Sequence, residues 1–581
     1  MFASFRKKFS LNWFMLIIVL LALAPLFTTG YYDMLLGKAI ILAIFAISLD
    51  LAWGYGGILS LGHSIFFGLG AYAFSIAALN GNTGAAFVVG IVLALLLPTL
   101  LAAAAGWFLF YEKLDPFYVG VITLSLTLIA EKTVLLFPKL TGGQNGLYNI
   151  PLPFTLSGKS LYFVILVIFI VVLYFVNKLS SSDFGKLLVA TRDNELRAQF
   201  LGYNTAFVHT LIFIISGFLA GFAGLLYAPY VGFVGPGLFT MAFATQVIIW
   251  VAIGGRGRII GAVIGALIIN MLTPVFNEIS PYLWQIFLGG TFVAVVVFRP
   301  DGLTSLWGKP KDSAAISKIS ITQKPQLSSD DSNKNSKLFV TDLNVSFGAL
   351  SVLENLCLTI NPSELLCIVG PNGAGKSTLV NAITGLVKTS KGDILLEGER
   401  LTRFRPYNIV NKGAARTFQS ANVFGTLTVA DNLFLASNKG LITSFWRRSR
   451  EIKLSEPAKR LLNSIGLSEK LHEEAGNLSH GEQKSLELCM VLALEPRVLL
   501  LDEPTAGLAL QERKIIGDIL INLVRSEELA MVVIEHDIEF VKSIADRIAV
   551  LHNGDIIVDG NIEEVTSNSL VKEIYLGVEA V

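Results

Sequence analysis

Gly370-Pro371-Asn372-Gly373-Ala374-Gly375-Lys376-Ser377, preceded by Leu365-Leu366-Cys367-Ile368-Val369, decides the fold of the C-terminal half. The five apolar residues read as a buried strand, and the apolar run after Ser377 has helix periodicity. The eight between them fit G-x-x-x-x-G-K-[ST] without a gap, in the strand–loop–helix setting that motif needs. Glycines let backbone N–H groups close around phosphates, and the helix N-terminus adds positive potential. Lys376 is expected to reach the β- and γ-phosphates, and the Ser377 hydroxyl to ligate Mg²⁺. Gly370, Asn372, Gly373, Gly375 and Thr378 complete the expected phosphate-binding set. A second buried strand, Val498-Leu499-Leu500-Leu501, ends in Asp502-Glu503. Asp502 is expected to hold the Mg²⁺ shell and Glu503 to act as general base on the attacking water. Both motifs, in order and in strand context, point to nucleotide hydrolysis.

The whole chain is unlike a soluble enzyme. Its 581 residues are 53% hydrophobic and only 15% charged, where soluble proteins carry about 25%. With 45 basic and 44 acidic residues the net charge is +1, which gives no footprint for nucleic acid. Cys357, Cys367 and Cys489 are too few and too late for a disulfide framework, and suit a reducing compartment. The averages hide a split. Residues 1–303 are almost entirely apolar, 338–581 read as an α/β soluble domain, and 304–337, rich in Ser, Lys, Asp and Asn, read as a flexible polar linker.

A spanning helix needs about 20 predominantly apolar residues, and about ten candidates meet that description. They lie near 11–27, 35–53, 57–79, 84–110, 117–137, 160–177, 206–226, 237–253, 259–275 and 282–298. The second and third are joined by only Trp53–Gly57, so one broken helix lining a cavity also fits. The expected fold is therefore a polytopic α-helical membrane domain followed by a P-loop ATPase. Arg6, Lys7 and Lys8 favour a cytoplasmic N-terminus. Alternation from there puts Lys113, the 178–205 loop, Arg256, Arg258 and Arg299 inside and the 138–159 loop outside. An even number of spans returns the ATPase to the cytoplasm, where ATP is. A cleaved signal peptide ending near Ala22-Leu23-Ala24 is the alternative, but Pro25 follows and the apolar run continues. His63, in Gly62-His63-Ser64, is ionisable at membrane depth. It reads either as functional or as a neutral histidine bonded to a neighbouring helix. Glu131 and Lys132 read as a pair near a helix end, and the small residues of 54–72 and 254–265 suit close helix packing.

Further motifs fall between and after the two phosphate motifs. Leu478-Ser479-His480-Gly481-Glu482-Gln483 opens a helix, Gln419 closes Arg416-Thr417-Phe418-Gln419, and His536 follows the apolar strand Met531–Ile534. The ordered set over 338–581 resembles the ATP-binding domain of ABC transporters. That resemblance implies roles. Phe347 would stack on adenine, unless it is a core strand residue. Gln419 would sense the γ-phosphate, touch Mg²⁺ and contact the membrane domain, and His536 would be the switch histidine. Ser479 and Gly481 would close on the ATP of a second such domain. One phosphate loop and one signature make half an engine, so a second permease and a second ATPase domain, as a copy or sister subunits, are implied. Two departures stand out: His480 and Glu482 where Gly and Gln are usual, the latter adding charge at the partner's site, and Ala509 in place of an Asp.

Residues 35–303 resemble the permeases of branched-chain amino acid and urea importers, through Ser48–Gly57, Leu59–His63, Phe66-Phe67, Gly70–Tyr72, Thr141–Leu147 and Trp250–Gly257. Residues 191–205 match their cytoplasmic coupling segment, or are a solvated loop. Val423-Phe424, Leu427-Thr428-Val429 and Glu573–Gly577 look like the ATPases of the same importers. Trp53, Trp250 and the 478–487 signature context lean toward urea. The resemblance implies ATP-driven import of urea, an amide or a branched-chain amino acid across the inner membrane, with an extracytoplasmic solute-binding protein. An exporter or flippase and a nucleotide-gated channel are the competing classes, set against by the span count and by intact Lys376, Glu503 and His536.

Overall fold

The computed structural model describes residues 2–304 except 29, 82–83, 113, 153–157 and 300–301, then 318–321, and 338–576 except 443, 450, 507–509 and 528. The chain parts into two compact units, each including a short segment from the far side of the sequence split. The first comprises Met1–Arg192, Thr205–Ala314 and Ser444–Arg448; the second comprises Asp193–Asn204, Ala315–Thr443 and Ser449–Val581.

In the first unit, each of the ten apolar stretches holds a helix, though not always over its whole length. Seven of the described helices are long and apolar enough to cross a membrane: Gly30–Tyr55, Gly84–Tyr111, Pro116–Leu136, Lys159–Ser180, Thr205–Val231, Ile259–Ile279 and Pro281–Phe298. Met15–Phe27, Ser64–Asn80 and Met241–Gly254 are shorter. Against the expectation of about ten full spans, seven described helices are long enough, and the third and eighth stretches, Ser64–Asn80 and Met241–Gly254, are shorter. The causes are local. Met15–Phe27 is only the part of helix Phe2–Phe27 whose side chains are described. Helix Gly30–Asp50 widens into a π-turn at Leu51–Tyr55, Gly57 takes φ +75°, and the next helix starts only at Ser64. Met241–Gly254 is held short by the Thr240 cap on Phe243 N and by Gly255 at φ +125°. The second and third stretches are therefore one helix, an irregular turn and another helix. Lys132 and Glu131 do pair, at 3.5 Å.

Small residues set the helix spacing. A Cβ on Gly70 would meet the Gly221 carbonyl oxygen at 2.2 Å, and one on Gly224 the Phe67 oxygen at 2.0 Å. Helices Ser64–Asn80 and Thr205–Val231 therefore touch backbone to backbone.

The second unit is built on a six-stranded sheet. Its spatial order is Asp555–Gly560, Arg547–His552, Leu365–Val369, Ala530–Ile534, Val498–Asp502 and Ala414–Arg416. All neighbours are parallel except the first pair. Leu365–Val369, Val498–Asp502 and Ala530–Ile534 are buried at every position, as continuous apolar runs in parallel sheets should be. A four-stranded antiparallel sheet, holding Leu338–Phe347, Leu350–Ile360, Lys391–Leu396 and Glu399–Arg400, shares one core with it. Within the stretch read as linker, Lys318–Ile321 is a strand, paired in parallel with Glu451–Leu454.

Register positions the site. Asp502 lies opposite Ile534, and Ile534 opposite Ile368. The chain leaves all three strands on one edge, so Gly370, Glu503 and His536 emerge together at the carboxyl end of the sheet, where open α/β sheets bind ligands.

Candidate nucleotide site

The phosphate loop has the backbone its glycines permit. Gly373 and Gly375 lie at φ +84° and +105°, and a Cβ on Gly375 would come within 2.7 Å of Leu353. Lys376 opens the helix Lys376–Ile383. Its Nζ donates to the Gly370 and Pro371 carbonyls at 2.6 and 2.9 Å. Burial lowers its pKa, against the opposing pull of Glu503 and Asp502. Asn372 on the loop and Ser377 in the first turn of the helix are exposed, and Thr378 is half-buried.

Glu503 is the centre of the arrangement. It holds φ +48°, an unfavourable value for a residue with a side chain, of the kind that collects at functional sites. Its N–H donates to Ile534 O at 2.9 Å, and its carbonyl accepts from Lys484 Nζ at 2.6 Å. The carboxylate accepts from Gln419 Nε2 at 3.0 Å on one oxygen and from His536 Nε2 at 2.7 Å on the other. The three expected catalytic residues, separated in sequence by 84 and 33 positions (503 − 419, 536 − 503), thus form one hydrogen-bonded group. A carboxylate so oriented, one residue beyond the strand that flanks the phosphate loop's neighbour, can take a proton from water attacking a terminal phosphate.

Asp502 is buried, with Arg416 at 3.6 Å. Burial raises its pKa, and Arg416 counters that. Among the described residues no group of three or more His, Cys, Asp and Glu could cage a metal. The donors expected for Mg²⁺, namely the Ser377 hydroxyl, the Asp502 carboxylate and the Gln419 amide, are few, hard oxygens. They fit a cation that takes most of its octahedron from nucleotide phosphates and water.

Phe347 ends its strand at 52% exposure, so the core alternative does not hold. Ser479 caps the helix His480–Leu492. Glu482 is engaged within its own chain. Its carboxylate accepts from Ser479 N and Oγ, both at 3.0 Å, and pairs with Lys470 at 2.6 Å. The Lys470 bond, with those to Ser479, lowers the Glu482 pKa. His480 is exposed, and Gly481 half-buried. Ala509 lies outside the described residues.

Sequence reasoning missed the buried charges behind the site. Arg197, on the short helix Glu195–Gln199, pairs with Glu487 at 3.3 Å and donates to the Glu487 carbonyl, also at 3.3 Å. Glu487 Oε1 accepts in addition from Phe418 N at 3.1 Å, one residue before Gln419. Burial pushes the Glu487 carboxyl up to about 7, against Arg197. The one signal was Lys484 and Glu487, three apart on a helix whose other inward positions are apolar. The rest of 193–204 is also bonded within the second unit: Asn194 to Asn422 at 3.0 Å, Asp193 to Thr426, and Tyr203 Oη to Leu435 O at 2.9 Å.

Comparison with known proteins matches the two halves of the sequence to two families. Residues 31–296 match the family "Branched-chain amino acid transport system / permease component", and residues 353–506 match "ABC transporter". The high-affinity branched-chain amino acid transport ATP-binding protein LivG of Escherichia coli is 35% identical over 249 residues, 41% of this chain and 97% of that protein. BraF of Pseudomonas aeruginosa is 34% identical over the same shares. A probable LivG of Methanocaldococcus jannaschii is 33% identical, over 40% of this chain and 93% of that protein. These names favour the branched-chain side of the resemblance over the urea side toward which Trp53, Trp250 and the signature context lean. A membrane-helix unit with the permease match and an ATPase unit with its phosphate loop, carboxylate and histidine assembled place the chain in the ABC transporter family, as a permease component of the branched-chain amino acid type joined to its ATP-binding component.

Proposed function

We propose that the protein imports a branched-chain amino acid across the cytoplasmic membrane, with ATP hydrolysis at the Glu503 site driving alternating access of the permease. The observation that carries this reading is the Gln419–Glu503–His536 group beside an intact phosphate loop, in a chain whose other half matches a branched-chain permease. An oriented general base supports nucleotide turnover rather than nucleotide sensing alone. Lys376, Ser377 and the loop glycines bind Mg²⁺-ATP, Phe347 stacks on its adenine, and Asp502 and Gln419 complete the Mg²⁺ shell. Ser479 and Gly481 face the ATP of a second ATPase domain. That domain, a second permease and an extracytoplasmic solute-binding protein are the partners, and the N-terminus and ATPase lie in the cytoplasm. ATP closure and hydrolysis shift the permease between two populations.

The test is uptake of labelled leucine and labelled urea by cells carrying the complete system, with wild-type chain or Glu503→Gln. Leucine accumulation abolished by the substitution supports the reading. Urea accumulation alone replaces the solute and leaves the mechanism. Export, or uptake untouched by Glu503→Gln, overturns it.

A further inference from the structure

His63 carries a lone pair that the fold leaves without a partner. The residue is 1% exposed, in the irregular turn between helices Gly30–Asp50 and Ser64–Asn80. Its Nε2 lies 3.0 Å from Ser48 Oγ and 3.3 Å from Ser216 Oγ. Both hydroxyl protons are already engaged: Ser48 donates to Phe45 O at 2.7 Å, and Ser216 donates to Ser48 O. With each hydroxyl's one proton assigned to its carbonyl, Nε2 is the donor to both oxygens. In a neutral ring the single N–H is then at Nε2, and Nδ1 is a bare acceptor. Nδ1 is buried without a hydrogen-bond partner, and so are the hydroxyls of Ser60 and Ser64, three residues before and one after.

Buried unpaired polar atoms are costly and few. Here three fall within five residues, at a break between apolar helices. Irregular backbone at membrane depth is tolerated where it is buried in protein or lines a cavity, and many secondary transporters hold their solutes at broken helices. A π-turn, which tends to mark functional sites, leads into the break.

We propose that His63 Nδ1, with the Ser60 and Ser64 hydroxyls, is a solute-binding site of the permease unit. Nδ1 accepts an N–H from the solute, and the hydroxyls donate to its carboxylate or carbonyl oxygen. The ligand class is a small molecule carrying both groups, an amino acid zwitterion or an amide. The inference rests on the import reading above and adds to it the place where solute binds.

The experiment compares uptake of labelled leucine and labelled urea by cells making the full chain with its partner subunits, at matched amounts in the membrane. In His63→Asn the side-chain oxygen overlies Nδ1 and keeps an acceptor there. In His63→Gln the amide reaches the Nε2 position and keeps the serine contacts, but offers nothing at Nδ1. The expected result is a KM about tenfold or more higher in His63→Gln and within about threefold of wild type in His63→Asn. The reverse order, with wild-type KM in His63→Gln, makes the histidine a packing residue and overturns the site. Ser60→Ala with Ser64→Ala removes only hydroxyls that have no partner in the fold, and serves if the histidine variants do not reach the membrane. A raised KM there supports the site, and a wild-type KM overturns it. Leucine as the affected solute assigns the zwitterion, and urea the amide. Wild-type cells that take up neither overturn the import reading before any substitution is compared, and the site falls with it.

Discussion

Arg197 and Glu487, 290 residues apart, form an ion pair at 3.3 Å in which both side chains are buried. Desolvation opposes both charges, so the pair gives little net stability, but removing one partner leaves an uncompensated buried charge. Arg197→Met or Glu487→Leu should each cost about 3–5 kcal/mol, read as the loss of melting temperature of the solubilised full chain. The double variant should recover part of that loss, the remainder being the Phe418 and Asn422 N–H groups left unpaired. A simply additive loss in the double variant denies the coupling.

The same carboxyl sets a pH dependence. Burial raises its pKa from the ordinary value to about 7 in the folded chain. The folded state therefore holds that proton more tightly than the unfolded state. Its contribution to stability is fully present below the unfolded value and is lost as pH rises through 7. The wild-type melting temperature should gain about 2–4 °C between pH 8 and pH 6 relative to Glu487→Gln, which lacks the titrating group. Parallel pH curves for the two proteins would contradict this.

Glu503→Gln should lower phosphate release by about 100-fold or more while ATP binding persists. His536→Ala should lower it less, because Gln419 still orients the carboxylate at 3.0 Å. The double variant should be no slower than Glu503→Gln alone, since the histidine acts through that carboxylate. A double variant slower by the product of the two effects would assign His536 an independent role.

Glu482→Gln should change stability by no more than about 0.5 kcal/mol, since Gln can also close the capping box and the Lys470 pair is exposed. Glu482→Ala, which removes the reciprocal bond to Ser479 N, should cost about 1 kcal/mol. Thermal melting of the two variants separates these outcomes.

What was legible in the sequence follows range of interaction. The phosphate loop and the Asp502-Glu503 strand end are specified by contiguous residues, because backbone shape and strand burial are local matters. The meeting of Gln419, Glu503 and His536 was legible only through recognised motif order, since register between parallel strands is not written in any one segment. Arg197 and Glu487 left almost no trace, because a residue on a charged stretch gives no sign that its charge will be enclosed. The bonds of Glu482 to Ser479 and Lys470 were likewise not legible, because a charge in a motif does not say which neighbour will hold it. The span count erred at His63 and at Thr240, where an apolar run continues in composition while the helix itself is interrupted by Gly57 or begins late.

The backbone contacts of Gly70 with Gly221 and of Gly224 with Phe67 have a mechanical consequence. Two helices seated carbonyl against α-carbon at two levels cannot roll over or slide past each other without collision. They form a single strut, and whatever opens and closes the permease must bend around that strut rather than through it. Beside the strut, regular helix is interrupted at the prolines within Gly84–Tyr111 and Thr205–Val231 and at the non-helical turn from Gly57 to His63. The strut also fixes which changes the chain tolerates there: no side chain, however small, fits at Gly70 or Gly224 without prying the pair apart.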